Sequence, residues 1–145
     1  MHIQIKKLRE NAVIPTCGSR YSAGYDLYAA LETDSVVVPP HGTVKIGTGL
    51  SIALSEGYFG AIFARSGLAA KQGLRPANCV GVADADYRGE YIVALHNDTD
   101  QPKAVANGDR IAQLVVLPCM ALDFEVVDEL DDTDRGAGGF GSTGK

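Results

Sequence analysis

Short runs of apolar or β-branched residues recur along most of the chain, many of them alternating with polar neighbours. Ile3 and Ile5 alternate in this way, Val36 to Val38 and Val44 to Ile46 flank the turn Pro39-Pro40-His41-Gly42, and Leu50, Ile52 and Leu54 alternate again. Tyr58 to Ala64, Tyr91 to Leu95, Ile111 to Leu117 and Leu122 to Val127 complete the set. Alternation sends every second side chain to one face, so these runs predict half-buried strands. Asn97-Asp98-Thr99-Asp100 and Asn107-Gly108-Asp109 separate strands with turn chemistry. One short helix is predicted over Ser66 to Gln72, with Ser66 as its N-cap and Gly73 as its stop. Many short strands punctuated by Gly, Pro and Asn predict an all-β sandwich or barrel.

The pattern breaks near the C-terminus. Asp128, Glu129, Asp131, Asp132 and Asp134 form an acidic stretch, and the last ten residues hold five of the 17 glycines. Such a segment has little apolar surface to offset its ordering entropy. The expected division is therefore a β domain over 1–130 and a flexible glycine-rich tail over 131–145. A frayed terminus is the plain reading, yet Arg135, Phe140, Ser142 and Thr143 on a flexible string would also suit a lid over a phosphorylated ligand.

Composition narrows the class. The 145 residues suit one domain with a core of its own. With 13 basic and 18 acidic side chains the net charge is 13 − 18 = −5, a poor match to non-specific nucleic-acid binding. No apolar run approaches the roughly 18 residues of a membrane span, and MHIQIKKLRE lacks a signal-peptide apolar segment. Cys17, Cys79 and Cys119 are widely spaced and odd in number, which predicts free thiols and a cytoplasmic setting. His2, His41 and His96 have no ligand spacing, which argues against a zinc site.

Two motif matches in the tail do not survive their context. Gly136 to Gly141 satisfies G-x-G-x-x-G, but no strand precedes it and no helix can follow. Gly139 to Lys145 resembles a P-loop and fails for the same reason. What remains is a run of glycines whose backbone N–H groups can approach anionic oxygens closely. Elsewhere, Ala64-Arg65-Ser66-Gly67-Leu68 sits at a strand-to-helix junction suited to phosphate, or is an ordinary helix start beside a surface arginine. Gly81 to Gly89 carries Asp84, Asp86, Tyr87 and Arg88 in a strand–turn–strand context, or is a hairpin with a charged tip. Asp26, within Ala23-Gly24-Tyr25-Asp26-Leu27, could help hold magnesium through water, or is a solvated turn residue. Gly108-Asp109-Arg110-Ile111-Ala112-Gln113 could be a turn entering a strand, with Asp109 and Arg110 paired.

Taken in order, these four segments and Arg135 to Gly144 resemble the five motifs of the trimeric dUTP pyrophosphatase (dUTPase) family. The resemblance spans residues 23 to 144. It implies a β-jelly-roll (β-clip) subunit in a homotrimer with active sites shared between chains. The implied activity is that of a hydrolase converting dUTP to dUMP and pyrophosphate with Mg2+, which keeps uracil out of DNA and supplies dUMP for dTMP synthesis. By the same resemblance, Asp84 is the general base, and Asn78, Gly81, Val82, Ala83 and Ile92 read uracil largely through main-chain groups. Tyr87 lies under the deoxyribose and excludes a 2′-hydroxyl. Arg65, Ser66, Gly67 and Gln113 contact phosphate, and Asp26 reaches the metal through water. In the tail, Phe140 stacks on uracil, while Arg135, Gly141, Ser142 and Thr143 bind the substrate's phosphate end. Where the family commonly has a bulky aliphatic residue before the catalytic aspartate, this chain has Ala83, which predicts looser packing behind the hairpin. Two rivals remain: a dCTP deaminase, which shares the fold by resemblance and would release ammonia, and a non-catalytic nucleotide sensor, against which the retained base, arginines and tail all argue.

Overall fold

A computed structural model describes residues 2–139. Among these residues the order is β1 (Gln4–Lys7), β2 (Tyr25–Tyr28), β3 (Ser35–Val38), β4 (Thr43–Gly47), β5 (Leu50–Ala53), β6 (Tyr58–Phe63), α1 (Ser66–Gln72), β7 (Leu74–Pro76), β8 (Gly81–Ala83), β9 (Ile92–Asn97), β10 (Lys103–Ala106) and β11 (Arg110–Pro118). The all-β expectation holds, with one short helix.

All strand pairs are antiparallel. A four-stranded sheet runs β2-β11-β6-β8 and a three-stranded sheet β4-β9-β7, while β1 pairs with β5 and β10 with β3. Each contributes to one core, with Leu27 from β2, Ile46 from β4, Leu50 from β5, Leu95 from β9 and Val105 from β10 all buried. Alternation accomplishes this: in β9 Val93, Leu95 and Asn97 turn inward while Ile92 faces out. Asn97 is polar but fully used. Its Nδ2 donates to Val38 O and Gln101 O, and its Oδ1 accepts from the Thr99 N–H and hydroxyl, so the side chain builds the turn that follows β9.

β11 carries the irregularity that matters most for the site. Its register on β2 shifts between Arg110 and Ala112. A bulge of this kind re-aims the side chains around it. Ile111 and Ala112 are both buried, and beyond them Gln113 lies opposite Asp26 on β2 and Phe63 on β6.

Four expectations need correction. The strands β2, β7 and β10 were not evident from periodicity. Leu122 to Val127 forms no strand: Leu122, Phe124 and Val126 are 64 %, 88 % and 98 % exposed, and among the described residues nothing pairs with the segment. Alternation supplies faces, but a strand also needs a neighbour for its backbone groups. Ser66 is not the N-cap. That position is held by extended Arg65, whose carbonyl accepts the Ala69 N–H at 2.9 Å, and no side chain caps the helix. Asp109 and Arg110 do not pair with each other, because Asp109 accepts the Ala106 N–H while Arg110 turns to Asp26. Gly73 ends the helix as expected, with its N–H bonded to Ala69 O. The three cysteines are free and exposed. No helix among the described residues is long and apolar enough to cross a membrane.

Candidate active site

Most of the site residues implied for the β domain line two hollows, while Asp86 and Arg88 line another beside Asp84. Asp26, Arg65, Ser66, Gly67 and Gln113 line the first, of about 380 Å³, together with Leu68, Lys71 and Gln72. The sheet explains the grouping: β11 lies between β2 and β6, so Gln113 stands beside Asp26, and the chain leaving β6 delivers Arg65 and the start of α1. Gln113 Nε2 donates to Ala64 O at 2.8 Å, which fixes that junction. Gly24 is needed here, since a Cβ would stand 2.5 Å from Gln113 Oε1.

Asp26 is the electrostatic centre of this hollow. Arg65 Nε donates to its Oδ1 at 2.7 Å and Arg110 Nη1 to its Oδ2 at 3.2 Å. One carboxylate thus holds two guanidinium groups: Arg65 lines this cavity with Ser66 and Lys71, and Arg110 lines a neighbouring hollow of about 190 Å³ that Arg65 also borders. The local balance is cationic, which suits a polyanion. No group of three or more His, Cys, Asp or Glu side chains able to hold a metal ion occurs among the described residues. A lone carboxylate cannot form a protein cage, but it fits magnesium that keeps its water shell and is carried on phosphate oxygens. Each Asp26 oxygen retains a second lone pair for such a water.

The second hollow, of about 200 Å³, is lined by Asn78, Gly81, Val82, Ala83, Asp84, Tyr87 and Ile92, with Ile62, Glu90 and Tyr91. Here one wall is formed by the short strand β8. β8 is short and pairs with β6 on one edge, leaving its other edge open. An unpaired edge offers N–H and C=O groups at fixed spacing, the chemistry needed to read the edge of a base. Val82 faces out and Ala83 in.

The hairpin that follows is tightly fastened. Asp84 O accepts the Tyr87 N–H at 3.1 Å, and the Tyr87 hydroxyl donates to Glu90 O at 3.0 Å. The Tyr87 ring folds over Gly89, where any Cβ would collide with it. Glu90 is gripped by Arg9 through Nη1 at 2.6 Å and Nη2 at 2.9 Å, and it accepts the Gly49 N–H at 2.7 Å. Asp84 is exposed at the rim, free to meet a water.

No residue lines both hollows. Arg135 joins neither: its Nε donates to Gly138 O at 2.8 Å within a local turn. Phe140, Gly141, Ser142 and Thr143 lie outside the described residues. Sequence reasoning missed three contributors. Arg110 was legible only as a possible partner of its neighbour, because its reach to Asp26 depends on the bulge. Lys71 and Tyr91 carried no signal, since one lies on the face of a short helix and the other within an apolar run.

The dUTPase family model matches residues 10–144. A deoxyuridine 5'-triphosphate nucleotidohydrolase of Corynebacterium glutamicum is 49 % identical over 144 residues, covering 99 % of this chain and 95 % of the relative. One of the same name from Arabidopsis thaliana is 50 % identical over 141 residues, covering 97 % and 82 %. Among solved structures, the Staphylococcus bacteriophage 80alpha dUTPase with dUPNHPP superposes with a TM-score of 0.91 at 29 % identity, over 99 % of both chains. A mutant dUTPase from phage phi11, whose structure describes coordination of a structural Mg(II) ion, superposes with a TM-score of 0.79 at 25 % identity, over 89 % of this chain and 98 % of that one. Motif order, sheet topology and whole-length similarity agree: the chain belongs to the dUTPase family.

Proposed function

We propose that the chain hydrolyses dUTP to dUMP and pyrophosphate, with Asp84 as general base. The observation that carries this reading is exposed Asp84 on a cavity that is bordered by β8 and also lined by Tyr87. In the step, a water oxygen bonds to the α-phosphorus while the bond from that phosphorus to the bridging oxygen of the β-phosphate breaks. Asp84 takes the water's proton, and pyrophosphate leaves with the bond's electron pair. Uracil faces the β8 edge and the Asn78 loop, its close fit rejecting the thymine methyl, and Tyr87 lies under the deoxyribose. Arg65, Ser66, Gly67 and Gln113 receive the phosphates. Asp26 reaches magnesium through water, and the ion, when bound, neutralises charge on the triphosphate.

The working form is a homotrimer whose sites join hollows from different chains. Two features support that reading: the hollows share no lining residue, and the apolar segment after Pro118 has no strand partner among the described residues. Residues 131–145 act as the lid, with Arg135 exchanging its bond to Gly138 O for phosphate. An assay with magnesium that follows pyrophosphate and ammonia from dUTP and dCTP tests the function. Pyrophosphate from dUTP alone is expected; ammonia from dCTP would mark a deaminase, and no product from either would mark a sensor.

A further inference from the structure

Tyr91 lies outside the five motifs, at the point where the catalytic hairpin returns to the sheet. It is the bulkiest of the fully buried side chains at 1 % exposure, yet it lines the nucleoside cavity with Ala83, Asp84 and Tyr87. Its backbone is held on both sides: the N–H donates to Leu50 O at 2.8 Å, and the carbonyl accepts the Thr48 N–H at 3.0 Å and the Thr48 hydroxyl at 2.8 Å. The ring centroid lies 6.1 Å from that of Tyr87, with planes 38° apart. The hydroxyl has no hydrogen-bond partner, the one such buried side-chain atom among the described residues.

An unpartnered buried hydroxyl is unfavourable, so the hydroxyl does not explain why a tyrosine stands here. Burial keeps the phenol protonated by raising its pKa, with Arg88 opposing and Tyr87 and Asp84 adding. The ring supplies the better explanation. Ala83 is buried on the same cavity wall and brings only a methyl group, facing Gly60 across the β6–β8 pair. Leu114 and Leu54 fill the space at Gly60, where a Cβ would stand 2.9 Å and 3.3 Å from their methyl groups. On the cavity wall, however, Ala83 is small, and close packing there requires bulk from elsewhere.

We propose that Tyr91 is a positioning residue: its ring occupies the space left by Ala83 and supports Tyr87 and Asp84 from behind, so that rejection of the ribonucleotide depends on the Ala83–Tyr91 pair. This inference rests on the dUTP reading above.

Steady-state kcat and KM for dUTP and UTP on Tyr91→Phe, Tyr91→Leu, Ala83→Ile and the double variant Tyr91→Leu/Ala83→Ile test it, with Tyr87→Ala as control. Tyr91→Phe keeps the ring and should hold the UTP-to-dUTP ratio of kcat/KM within about twofold. Tyr91→Leu opens a void behind Tyr87 and should raise that ratio about tenfold, since small displacements at a reacting centre are costly. The double variant returns the lost volume and should recover most of the discrimination, whereas Ala83→Ile alone, overpacked, should not gain any. A ratio unmoved in Tyr91→Leu, or left unrepaired in the double variant, overturns the proposal. So does a tenfold loss of dUTP turnover in Tyr91→Phe, which would place the work in the hydroxyl. Should Tyr91→Leu not fold, Tyr91→Phe and the double variant still decide. The control separates the two readings: an unchanged ratio in Tyr87→Ala refutes the sugar gate itself, while a changed ratio there with none in Tyr91→Leu refutes only the pair.

Discussion

The two hollows solve recognition by different means. The proposed nucleoside side is made of strand edge and a hairpin fastened by Arg9, Glu90 and Gly49, so its polar groups are fixed by the fold. The proposed phosphate side is made of side-chain ends, with Asp26 holding Arg65 and Arg110. A base presents donors and acceptors at fixed spacing and rewards a rigid reader. A triphosphate presents charge in many conformations and rewards adjustable cations. Changes in the nucleoside hollow should therefore alter turnover and selectivity, and changes in the phosphate hollow should alter affinity and its salt dependence.

The largest expected effect is in the nucleoside hollow. Asp84→Asn preserves shape but cannot accept the water's proton, so kcat should fall by about 10²- to 10⁴-fold, the usual value of general-base catalysis. Binding of a non-hydrolysable dUTP analogue, measured by calorimetry, should be largely retained. Near-normal turnover would remove Asp84 from the step.

Removing the tail should come next. A chain ending at Leu130 retains every strand of the described residues and both hollows, so it should assemble like the parent in sedimentation. It should nonetheless lose most of its turnover, because the proposed lid, which would exclude water from the triphosphate, is removed. Full activity in the shortened chain would make the tail a passive terminus.

The phosphate hollow gives a smaller change of another kind. Arg65→Ala should raise KM for dUTP by about tenfold with a lesser effect on kcat, given that charge-assisted bonds to phosphate are roughly twice as strong as neutral ones. Mixing then tests whether the hollows join across chains. When Asp84→Asn and Arg65→Ala chains are unfolded together and refolded one to one, roughly a quarter of sites built from two different chains should combine both intact halves. Activity at low dUTP should rise above that of either variant alone. No rise would mean that both halves belong to one chain.

These contrasts were legible in the sequence to different degrees. The β class and the span of α1 followed from alternation and from breakers such as Gly73, which act locally. The membership of each hollow followed from motif order, because Asp26, Gln113 and Arg65 are far apart in sequence and only the β2-β11-β6 order unites them. What failed was whatever depends on a partner. β7 is too short to show a period, β10 has a single valine among alanines, and both exist because β9 and β3 bond to them. Leu122 to Val127 has the period and, among the described residues, lacks the partner. Arg110 needed a bulge to reach Asp26, and Tyr91 looked like any apolar residue of a strand.

The smallest effect should come from a site remote from both hollows, which makes it a control on the comparison. Arg75 on β7 donates to Asp98 through Nε at 2.7 Å and Nη2 at 2.9 Å. His96 lies 3.5 Å from the same carboxylate and shares a hydrogen bond with Thr43, while the neighbouring Asp100 meets His41 at 2.8 Å. None of these residues lines either hollow. The hydrogen bond from Arg75 lowers the Asp98 pKa below 3.8, with slight burial opposing and the charges of Arg75, His96 and His41 assisting. A carboxylate whose folded-state pKa is depressed stabilises the fold above its unfolded value, and that stabilisation is lost as pH falls through the lower, folded one. Solvent screens this exposed pair, so Asp98→Asn should lower Tm at pH 7 by no more than about 2 °C. The difference from the parent should close in acid, below the unfolded value of 3.8. The kcat and KM for dUTP should be unchanged, because the β9 turn keeps its Asn97 scaffold. A Tm difference that persists in acid would assign the effect to packing rather than charge, and a changed KM would show that the sheet carries strain from this turn to the nucleoside hollow.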